Sequence, residues 1–317
     1  MTSGETMRAI VVREWGGPET LTLAEIERPE PGFGEILVRV HAAGVNPVDW
    51  KTRASGALIG WGEIPIVGWD VSGTVAAVGP GVTVFRPGDE VFGMPRFPQQ
   101  AGGYAEYVTA PTRHFAAKPE RIDHVQAAAL PLAALTAWQG LIDTAGLRHG
   151  QRVLIHAAAG GVGHLAVQIA KAHGAHVIGT ARAEKHEFLR SLGADEVIDY
   201  STTDFAAVAG QVDVVLDAIG GDYGVRSLPL VRRGGHLVSL PTADDVPDAE
   251  QAAARGVHIG WTVVEVDSAG LRAIADLVDK GELRAEIDTV LPLAEAAKAH
   301  AYGETGRARG KIVLQVV

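Results

Sequence analysis

The most informative candidate functional motif in the sequence is a glycine-rich turn at residues 157–163, which reads Ala-Ala-Ala-Gly-Gly-Val-Gly. An apolar run at 153–156 precedes it, and a helical pattern at 162–173 follows it. This order of strand, turn and helix is the context that a dinucleotide-binding fingerprint requires. The pattern is incomplete, because Ala158 stands where its first glycine is expected.

Each small residue in this turn has a physical role. Gly160 lets the backbone approach a pyrophosphate, and Gly163 lets the helix pack closely on the strand. Free N–H groups and the positive dipole end at Val162 and Gly163 favour an anion. The alternative is that these small residues only allow tight packing. The predicted cofactor-binding residues of the turn are Ala159, Gly160, Gly161, Val162 and Gly163.

The end of the next strand, at 176–180, indicates which dinucleotide is bound. Enzymes that use NAD place Asp or Glu there to bind the ribose, whereas those that use NADP accommodate a 2′-phosphate with Arg. This sequence has Arg182 at that position, with Thr180 and Lys185 as further donors. Since a guanidinium can bind a phosphate through two hydrogen bonds, we expect NADPH as the cofactor. The alternative is that Arg182 and Lys185 are solvated surface charges.

Two different sequence patterns along the chain indicate the secondary-structure elements that position these residues. Up to about residue 124, Gly and Pro interrupt short β-branched runs every eight to twelve residues, which is typical of an all-β barrel or sandwich. From residue 153 onward, apolar strands alternate with helices, which predicts a parallel sheet covered on both faces. Runs that we interpret as strands are 10–13, 36–42, 71–78, 90–93, 104–109, 153–156, 176–180, 212–216 and 236–240; predicted helices include 162–173, 184–192, 271–279 and 293–302.

Composition excludes several classes of protein. The 317 residues are enough for about two domains. With 28 basic against 38 acidic residues, the net charge of −10 disfavours nucleic-acid binding. The longest apolar stretch, 127–138, contains Pro131 and is too short to span a membrane, so we expect no membrane partner and a cytoplasmic protein. Cysteine is absent, which excludes disulfides, thiolate nucleophiles and thiolate-bound zinc.

Seven stretches along the chain together resemble the medium-chain dehydrogenase/reductase superfamily, in its zinc-independent quinone oxidoreductase and enone reductase branch. Their order and spacing carry the resemblance, which covers essentially the whole chain. They are Ala-Ala-Gly-Val-Asn-Pro-Val-Asp-Trp-Lys at 42–51, Pro-Ile-Val-Gly-Trp-Asp-Val-Ser-Gly at 65–73, Arg-Pro-Gly-Asp-Glu-Val at 86–91, Gly-Tyr-Ala-Glu-Tyr-Val at 103–108, Leu-Pro-Leu-Ala-Ala-Leu-Thr-Ala at 130–137, the turn at 157–163, and Arg-Gly-Lys-Ile-Val-Leu at 309–314.

The resemblance implies an α/β protein of two domains. A GroES-like β-barrel catalytic domain would comprise residues 1–126 and 271–317, and a Rossmann domain with a doubly wound parallel sheet would comprise 127–270. It also implies a homodimer. Zinc alcohol dehydrogenases of the superfamily bind the metal with a Cys in the first stretch and a His in a Gly-His-Glu motif. Here the second motif reads Gly68-Trp69-Asp70 and no Cys exists, so we expect no metal.

Without a metal to polarise a carbonyl, a nicotinamide still supplies a hydride. Suitable acceptors are a quinone or the β-carbon of an α,β-unsaturated carbonyl, because hydride addition places charge on an oxygen that donors stabilise. Asn46 is a candidate donor, and Lys51, which similar enone reductases share, could stabilise an enolate or donate a proton. Asp49 would be an orienting group, or a partner of Lys51 or of a ribose hydroxyl. Alternatively, Asn46 lies in a turn, Asp49 caps a helix and Lys51 is solvated.

Other predicted site residues rest on side-chain type and on the resemblance. Aromatic side chains could line an apolar substrate pocket, although each could equally be a packing residue. The resemblance places a further group near the cofactor. The predicted pocket residues are Trp50, Trp61, Trp69 and Tyr104, and the further cofactor residues are Thr136, Tyr200, Ile219, Gly220, Leu240 and Lys311.

The sequence thus predicts an NADPH-dependent oxidoreductase that reduces a quinone or enone. One alternative is an enoyl-thioester reductase of polyketide or fatty-acyl type. Another, from a different class, is a non-catalytic NADPH-binding protein resembling lens crystallins or RNA-binding relatives, against which the acidic charge and the intact cofactor residues argue.

Overall fold

The computed structural model describes residues 5–56 and 65–317. In chain order, the strands are β1 (Thr6–Val12), β2 (Leu21–Glu27), β3 (Glu35–Val45), β4 (Asp70–Val78), β5 (Glu90–Gly93), β6 (Tyr107–Pro111), β7 (Phe115–Ala117), β8 (Arg152–Ile155), β9 (His176–Thr180), β10 (Glu196–Ile198), β11 (Val212–Asp217), β12 (Val231–Ser239), β13 (His258–Trp261), β14 (Ile287–Pro292) and β15 (Lys311–Gln315). The helices are α1 (Pro47–Ser55), α2 (His124–Ala128), α3 (Pro131–Trp138), α4 (Gly163–Ala172), α5 (His186–Ser191), α6 (Phe205–Val208), α7 (Tyr223–Ser227), α8 (Ala249–Arg255), α9 (Ser268–Lys280) and α10 (Ala296–Glu304).

The chain divides into two compact units. Unit 1 comprises Met1–Leu135, Glu265–Lys280 and Ala285–Val317, and unit 2 comprises Thr136–Val264 and Gly281–Arg284. No helix in the described parts of the chain is long and apolar enough to cross a membrane.

Unit 1 is built on a mostly antiparallel sheet in the order β14-β15-β3-β4-β5-β7, with β6 also paired to β3. Strands β1 and β2 form a separate two-stranded ribbon. Small residues on β3 allow α2 to lie against it: a Cβ on Gly44 would come within 2.3 Å of the Ala128 carbonyl oxygen. Ala42, Ala128 and Val313 complete this packing.

Unit 2 contains a six-stranded parallel sheet in the order β10-β9-β8-β11-β12-β13. Counted from β8, this is the order 3-2-1-4-5-6 of a Rossmann fold, with the reversal between β8 and β11 where ligands bind such sheets. The core beneath it includes Leu154, Ile178, Phe205, Val215 and Leu237. The predicted α/β fold class is confirmed.

Several local boundaries differ from the sequence-based predictions. The strand predicted at 104–109 begins later, as β6, and the one predicted at 236–240 begins earlier, as β12. The helix predicted at 184–192 starts as a 3₁₀ turn, Ala183–Lys185, before α5. The ends of α4 and α5 are followed by glycines with positive φ, Gly174 at 74° and Gly193 at 101°.

Candidate active site

The glycine-rich turn of unit 2 connects β8 to α4 through a very close approach of the backbone to itself. A Cβ on Gly163 would lie 2.3 Å from the Ala157 carbonyl oxygen and 2.7 Å from the Ala158 Cα, so only glycine fits there. The Ala158 N–H donates to the Thr180 carbonyl oxygen over 3.1 Å, which ties the turn to the end of β9. Ala157 adopts a φ of 49°, in the left-handed region that favours glycine.

Arg182 and Tyr200 are brought together beside the end of β9. The Arg182 Nε donates a hydrogen bond to the Tyr200 hydroxyl at 3.2 Å. Arg182 is exposed and Tyr200 is 38% exposed, so the guanidinium is open to an anionic group. Lys185 is partly exposed in the following 3₁₀ turn. Thr180 is fully buried, so its hydroxyl lies inside unit 2 and not on the surface.

The inward hydroxyl of Thr180 contacts His156, a residue that the sequence analysis missed. The His156 Nδ1 lies 3.2 Å from Thr180 Oγ1, and its Nε2 lies 2.8 Å from Ser227 Oγ. Burial lowers the pKa of His156 to about 3, so the imidazole is neutral near pH 7. A neutral histidine thus links the ends of β8 and β9 to α7. The only signal in the sequence is one polar residue ending an apolar strand.

A carboxylate at the end of β11 organises the next predicted cofactor segment. Asp217 Oδ1 accepts hydrogen bonds from the N–H groups of Ile219 at 2.9 Å and Gly220 at 3.1 Å, and the Leu240 N–H donates to the Asp217 backbone oxygen. Ile219 is 38% exposed, whereas Thr136, also predicted at the cofactor, is buried. The predicted cofactor segments at the ends of β8, β9, β11 and β12 thus lie at one edge of the sheet.

In unit 1, the predicted catalytic residues lie at the start of α1. Asn46 is the N-cap residue, Pro47 fixes the first helical position, and the Asp49 carboxylate accepts a hydrogen bond from the Asn46 backbone N–H at 2.7 Å. Asn46 is 1% exposed and Asp49 is fully buried. Lys51 is exposed, and no hydrogen bond or ion pair of its ammonium is seen with the described residues.

Asp49 belongs to a buried chain of three side chains. The Tyr104 hydroxyl donates to Asp49 Oδ2 at 2.8 Å, and His300 Nε2 lies 3.1 Å from the same hydroxyl. Gly68 makes room for the tyrosine, because its φ of 94° and missing Cβ let the ring lie against the backbone. Since the tyrosine proton goes to Asp49, Nε2 of His300 carries a hydrogen and donates it to the hydroxyl oxygen. Sequence analysis missed His300, which is separated from Tyr104 by 196 positions.

Burial shifts the pKa values of this chain strongly. Desolvation raises the pKa of Asp49 to about 7, although its hydrogen bonds with Asn46 and Tyr104 oppose the shift. Desolvation lowers the pKa of His300 to about 3, with the positive charge of Arg53 adding to the effect. Near neutral pH, Asp49 is therefore the titrating member of the chain.

A second buried network surrounds the side chain of Asn46. Its Nδ2 donates to Asp70 Oδ2 at 2.8 Å, and its Oδ1 accepts a hydrogen bond from the Lys311 ammonium. Lys311 is only 3% exposed, and its ammonium also donates to the Val45 carbonyl oxygen at 3.1 Å. The predicted contact of Lys311 with the cofactor stays a prediction, since the structure shows its nitrogen engaged within unit 1.

The aromatic residues predicted for a substrate pocket lie in different environments. Trp69 is fully buried, and its indole N–H donates to the Gln99 carbonyl oxygen at 2.7 Å; Tyr104 is fully buried as well. Trp50 is partly exposed and packs edge-on against His300. Trp61 lies outside the described residues. Whether these side chains contact a substrate stays a prediction.

Unit 1 also contains a concavity of about 450 Å³. It is lined by residues of β1, β2 and β6 and the segment before β6, among them Met7, Ile26, Arg96, Gln100 and Tyr107. None of Trp50, Trp69 and Tyr104 lines it.

The folds of both parts and these sites define a class of protein. An alcohol dehydrogenase GroES-like domain matches residues 32–120, and a zinc-binding dehydrogenase domain matches residues 192–314. The Rossmann strand order and the glycine-rich turn agree with these matches. Relatives that align with nearly the whole chain are more than 30% identical to it. The chain belongs to the medium-chain dehydrogenase/reductase superfamily.

Relatives across the whole chain include oxidoreductases of two kinds. A chloroplastic NADPH-dependent alkenal/one oxidoreductase of Arabidopsis thaliana is 36% identical, with 97% of this chain and 79% of the relative covered. The quinone oxidoreductase structure from Coxiella burnetii is 38% identical, with a TM-score of 0.91 and 99% and 100% of the two chains covered. A mycobacterial protein solved in complex with NADPH is 32% identical, with a TM-score of 0.85 and 98% and 100% covered.

The residues of this chain do not fit the zinc that the name of the second matching domain implies. At the position of the histidine ligand stands Trp69, whose indole nitrogen is a donor and is already used. At the stretch that carries the cysteine, the Asn46 oxygen accepts from a lysine ammonium. In residues 5–56 and 65–317, no group of three or more His, Asp or Glu residues could hold a metal.

Proposed function

We propose that this protein is an NADPH-dependent, zinc-independent oxidoreductase that transfers hydride to a quinone or to the β-carbon of an α,β-unsaturated carbonyl compound. The observation that carries the cofactor assignment is the exposed guanidinium of Arg182 at the end of β9, held by Tyr200. The acceptor assignment is supported by the absence of cysteine and by the activities for which the relatives are named.

In this proposal, unit 2 holds the dinucleotide. The backbone of the turn and the start of α4 bind the pyrophosphate, because Gly163 removes the Cβ that would block their close approach. Arg182 binds the 2′-phosphate through its remaining guanidinium N–H groups. The segment at Ile219 and Gly220, fixed by Asp217, borders the ribose. When bound, the nicotinamide supplies the hydride.

The donors of unit 1 stabilise the charge that develops on the acceptor. Hydride addition to the β-carbon of an enone forms an enolate, and hydride addition to a quinone forms a hydroquinone anion. Lys51, with its exposed ammonium, stabilises that oxygen and supplies the proton that completes the reduction. Asn46 has one amide hydrogen beyond the one given to Asp70, and this hydrogen is the second donor.

The acceptor class is tested by following NADPH oxidation with 1,4-naphthoquinone, a 2-alkenal and crotonyl thioester. We expect turnover with the quinone or the alkenal. Turnover with the thioester alone would assign an enoyl-thioester reductase instead. NADPH binding without turnover on any acceptor, together with salt-sensitive RNA binding, would favour the non-catalytic alternative.

We also propose that the chain forms a homodimer. Strand β13 is one of the two outer strands of the parallel sheet in unit 2, and Trp261 on it is 46% exposed. An edge strand presents unpaired N–H and C=O groups that can pair with a strand of a second chain. Sedimentation analysis should give a mass near twice the 33.2 kDa of the chain; a monomer at micromolar concentration would contradict the proposal.

A further inference from the structure

The two stretches that carry zinc ligands in zinc-dependent relatives meet in this chain around an ammonium. Asn46 comes from the first stretch and Asp70 from the second, and their side chains are hydrogen-bonded at 2.8 Å. The Lys311 Nζ donates to Asn46 Oδ1 and lies 3.6 Å from Asp70 Oδ2. We propose that Lys311 is the permanent cation of this site and that, with Asp70, it is a positioning residue that fixes the side-chain amide of Asn46.

Both charges of the site are buried, and each has several hydrogen-bond partners. The side chains of Lys311 and Asp70 are 2% and 0% exposed. Three acceptors surround the ammonium: the Val45 carbonyl oxygen, Asn46 Oδ1 and Asp70 Oδ2. The second carboxylate oxygen of Asp70 accepts from the Leu132 N–H at 2.7 Å. A buried ion pair is tolerated when both charges have such additional hydrogen bonds.

The two charges determine which way the amide of Asn46 points. An ammonium only donates and a carboxylate only accepts, so the amide oxygen faces Lys311 and the NH₂ group faces Asp70. The reversed orientation would place the NH₂ group against an ammonium. The one remaining N–H of Asn46 is therefore held in a fixed direction. Its use as a donor to substrate rests on the proposed function.

In this arrangement the Lys311 ammonium occupies the position that a divalent metal ion would need. Zinc would have to displace the ammonium, and the surrounding groups offer it oxygen atoms but neither a thiolate nor an imidazole. The positive charge that the metal supplies in zinc-dependent relatives is thus built into the chain as Lys311.

The cation is detected directly in the intact chain by NMR of the lysine ammonium groups after ¹⁵N-lysine labelling. We expect a slowly exchanging ammonium signal that is absent from Lys311→Met but retained both in Lys298→Met, at an exposed lysine, and in Lys118→Met, at a second lysine whose side chain is only 6% exposed. Adding zinc chloride should leave the signal unchanged. A spectrum in which Lys311→Met loses no protected ammonium signal, or loss of the Lys311 signal upon adding zinc, would overturn the proposal.

Lys311→Met leaves Asp70 without its counter-charge and is therefore expected to fold poorly. A second experiment uses the variant Asp70→Asn/Lys311→Met, which removes both charges together. We expect it to unfold at a higher temperature than Lys311→Met, and its Asn46 side-chain NH₂ signals should shift. Its kcat should fall at least about ten-fold, with little change in the KM for NADPH. Unchanged Asn46 signals would overturn the positioning role. A wild-type chain that shows the ammonium signal but reduces no acceptor would refute only the proposed function.

Discussion

The Nε of Arg182 donates a hydrogen bond to the hydroxyl of Tyr200 over 3.2 Å, although the two residues are 18 positions apart. The bond uses one edge of the guanidinium and restrains the side chain at the end of β9. The remaining N–H groups of Arg182 stay available for a phosphate. The contact thus places a restrained cation where the sequence predicts the 2′-phosphate of NADPH.

Replacement of Arg182 by Ala should weaken NADPH binding on the order of ten-fold or more while changing NADH binding little, because NADH lacks the 2′-phosphate. Tyr200→Phe should produce a smaller loss of the same kind. Fluorescence titration with both dinucleotides measures the effect. Arg190→Ala, at another exposed arginine of the same region, is the control. Equal losses for NADPH and NADH would show that Arg182 does not bind the phosphate.

Ala157→Gly should stabilise the fold. Ala157 has a φ of 49°, and a left-handed conformation costs a non-glycine residue roughly 1 kcal/mol. We expect the free energy of unfolding in urea to rise by about 0.5 to 1 kcal/mol. Ala158→Gly is the matched control, since Ala158 is fully buried and has no positive φ; it should destabilise. A loss of stability in Ala157→Gly as large as in the control would show that the turn is not strained.

Asp49→Asn should change how stability depends on pH. The pKa of Asp49 is about 7 in the native state against 3.8 when unfolded, so between these values the native state holds a proton that the unfolded state releases. The carboxyl therefore contributes stability at low pH that is lost as the pH rises from about 4 to about 7. Between about pH 4 and pH 7, the free energy of unfolding of the wild type should therefore fall, relative to that of Asp49→Asn, by about 1.4 kcal/mol for each unit of pH.

The measurement for Asp49 is the difference in unfolding free energy between wild type and Asp49→Asn at several pH values. His300, whose lowered pKa gives the opposite trend between about 3 and 6.5, is present in both proteins and cancels. A difference that is constant between pH 4.5 and 6.5 would mean that Asp49 is ionised throughout.

Lys51→Ala should lower kcat/KM for the acceptor by roughly 10- to 100-fold without changing the affinity for NADPH, because the ammonium acts on charge that develops in the transition state. Lys51→Arg keeps the charge and should retain more activity than Lys51→Ala. Steady-state kinetics with the best acceptor of the panel provide the test. Wild-type kcat/KM in Lys51→Ala would remove Lys51 from the reaction.

The sequence predicts those parts of the molecule that are determined by residues close together along the chain. The turn at 157–163 and the strand at 176–180 follow from local spacing, and the Rossmann strand order agrees with the predicted alternation of strands and helices. The position of Arg182 also follows from the strand that precedes it.

The buried networks could not be predicted, because they join residues that are distant in the sequence. Lys311 contacts Asn46 across 265 positions, and Tyr104 contacts Asp49 across 55. No local period indicates such pairs. The burial of Trp69 and its hydrogen bond to the Gln99 carbonyl oxygen also join separate segments of the chain, so no local pattern indicates them.

Whether this protein works as a reductase without zinc is measured by NADPH oxidation with 1,4-naphthoquinone and a 2-alkenal after exhaustive dialysis against a metal chelator. We expect turnover with at least one acceptor at a rate unchanged by the dialysis, and a lower rate with NADH. Activity that disappears with the metal and returns on adding zinc would show that the enzyme depends on zinc, and no turnover of NADPH with either acceptor before dialysis would show that it reduces neither.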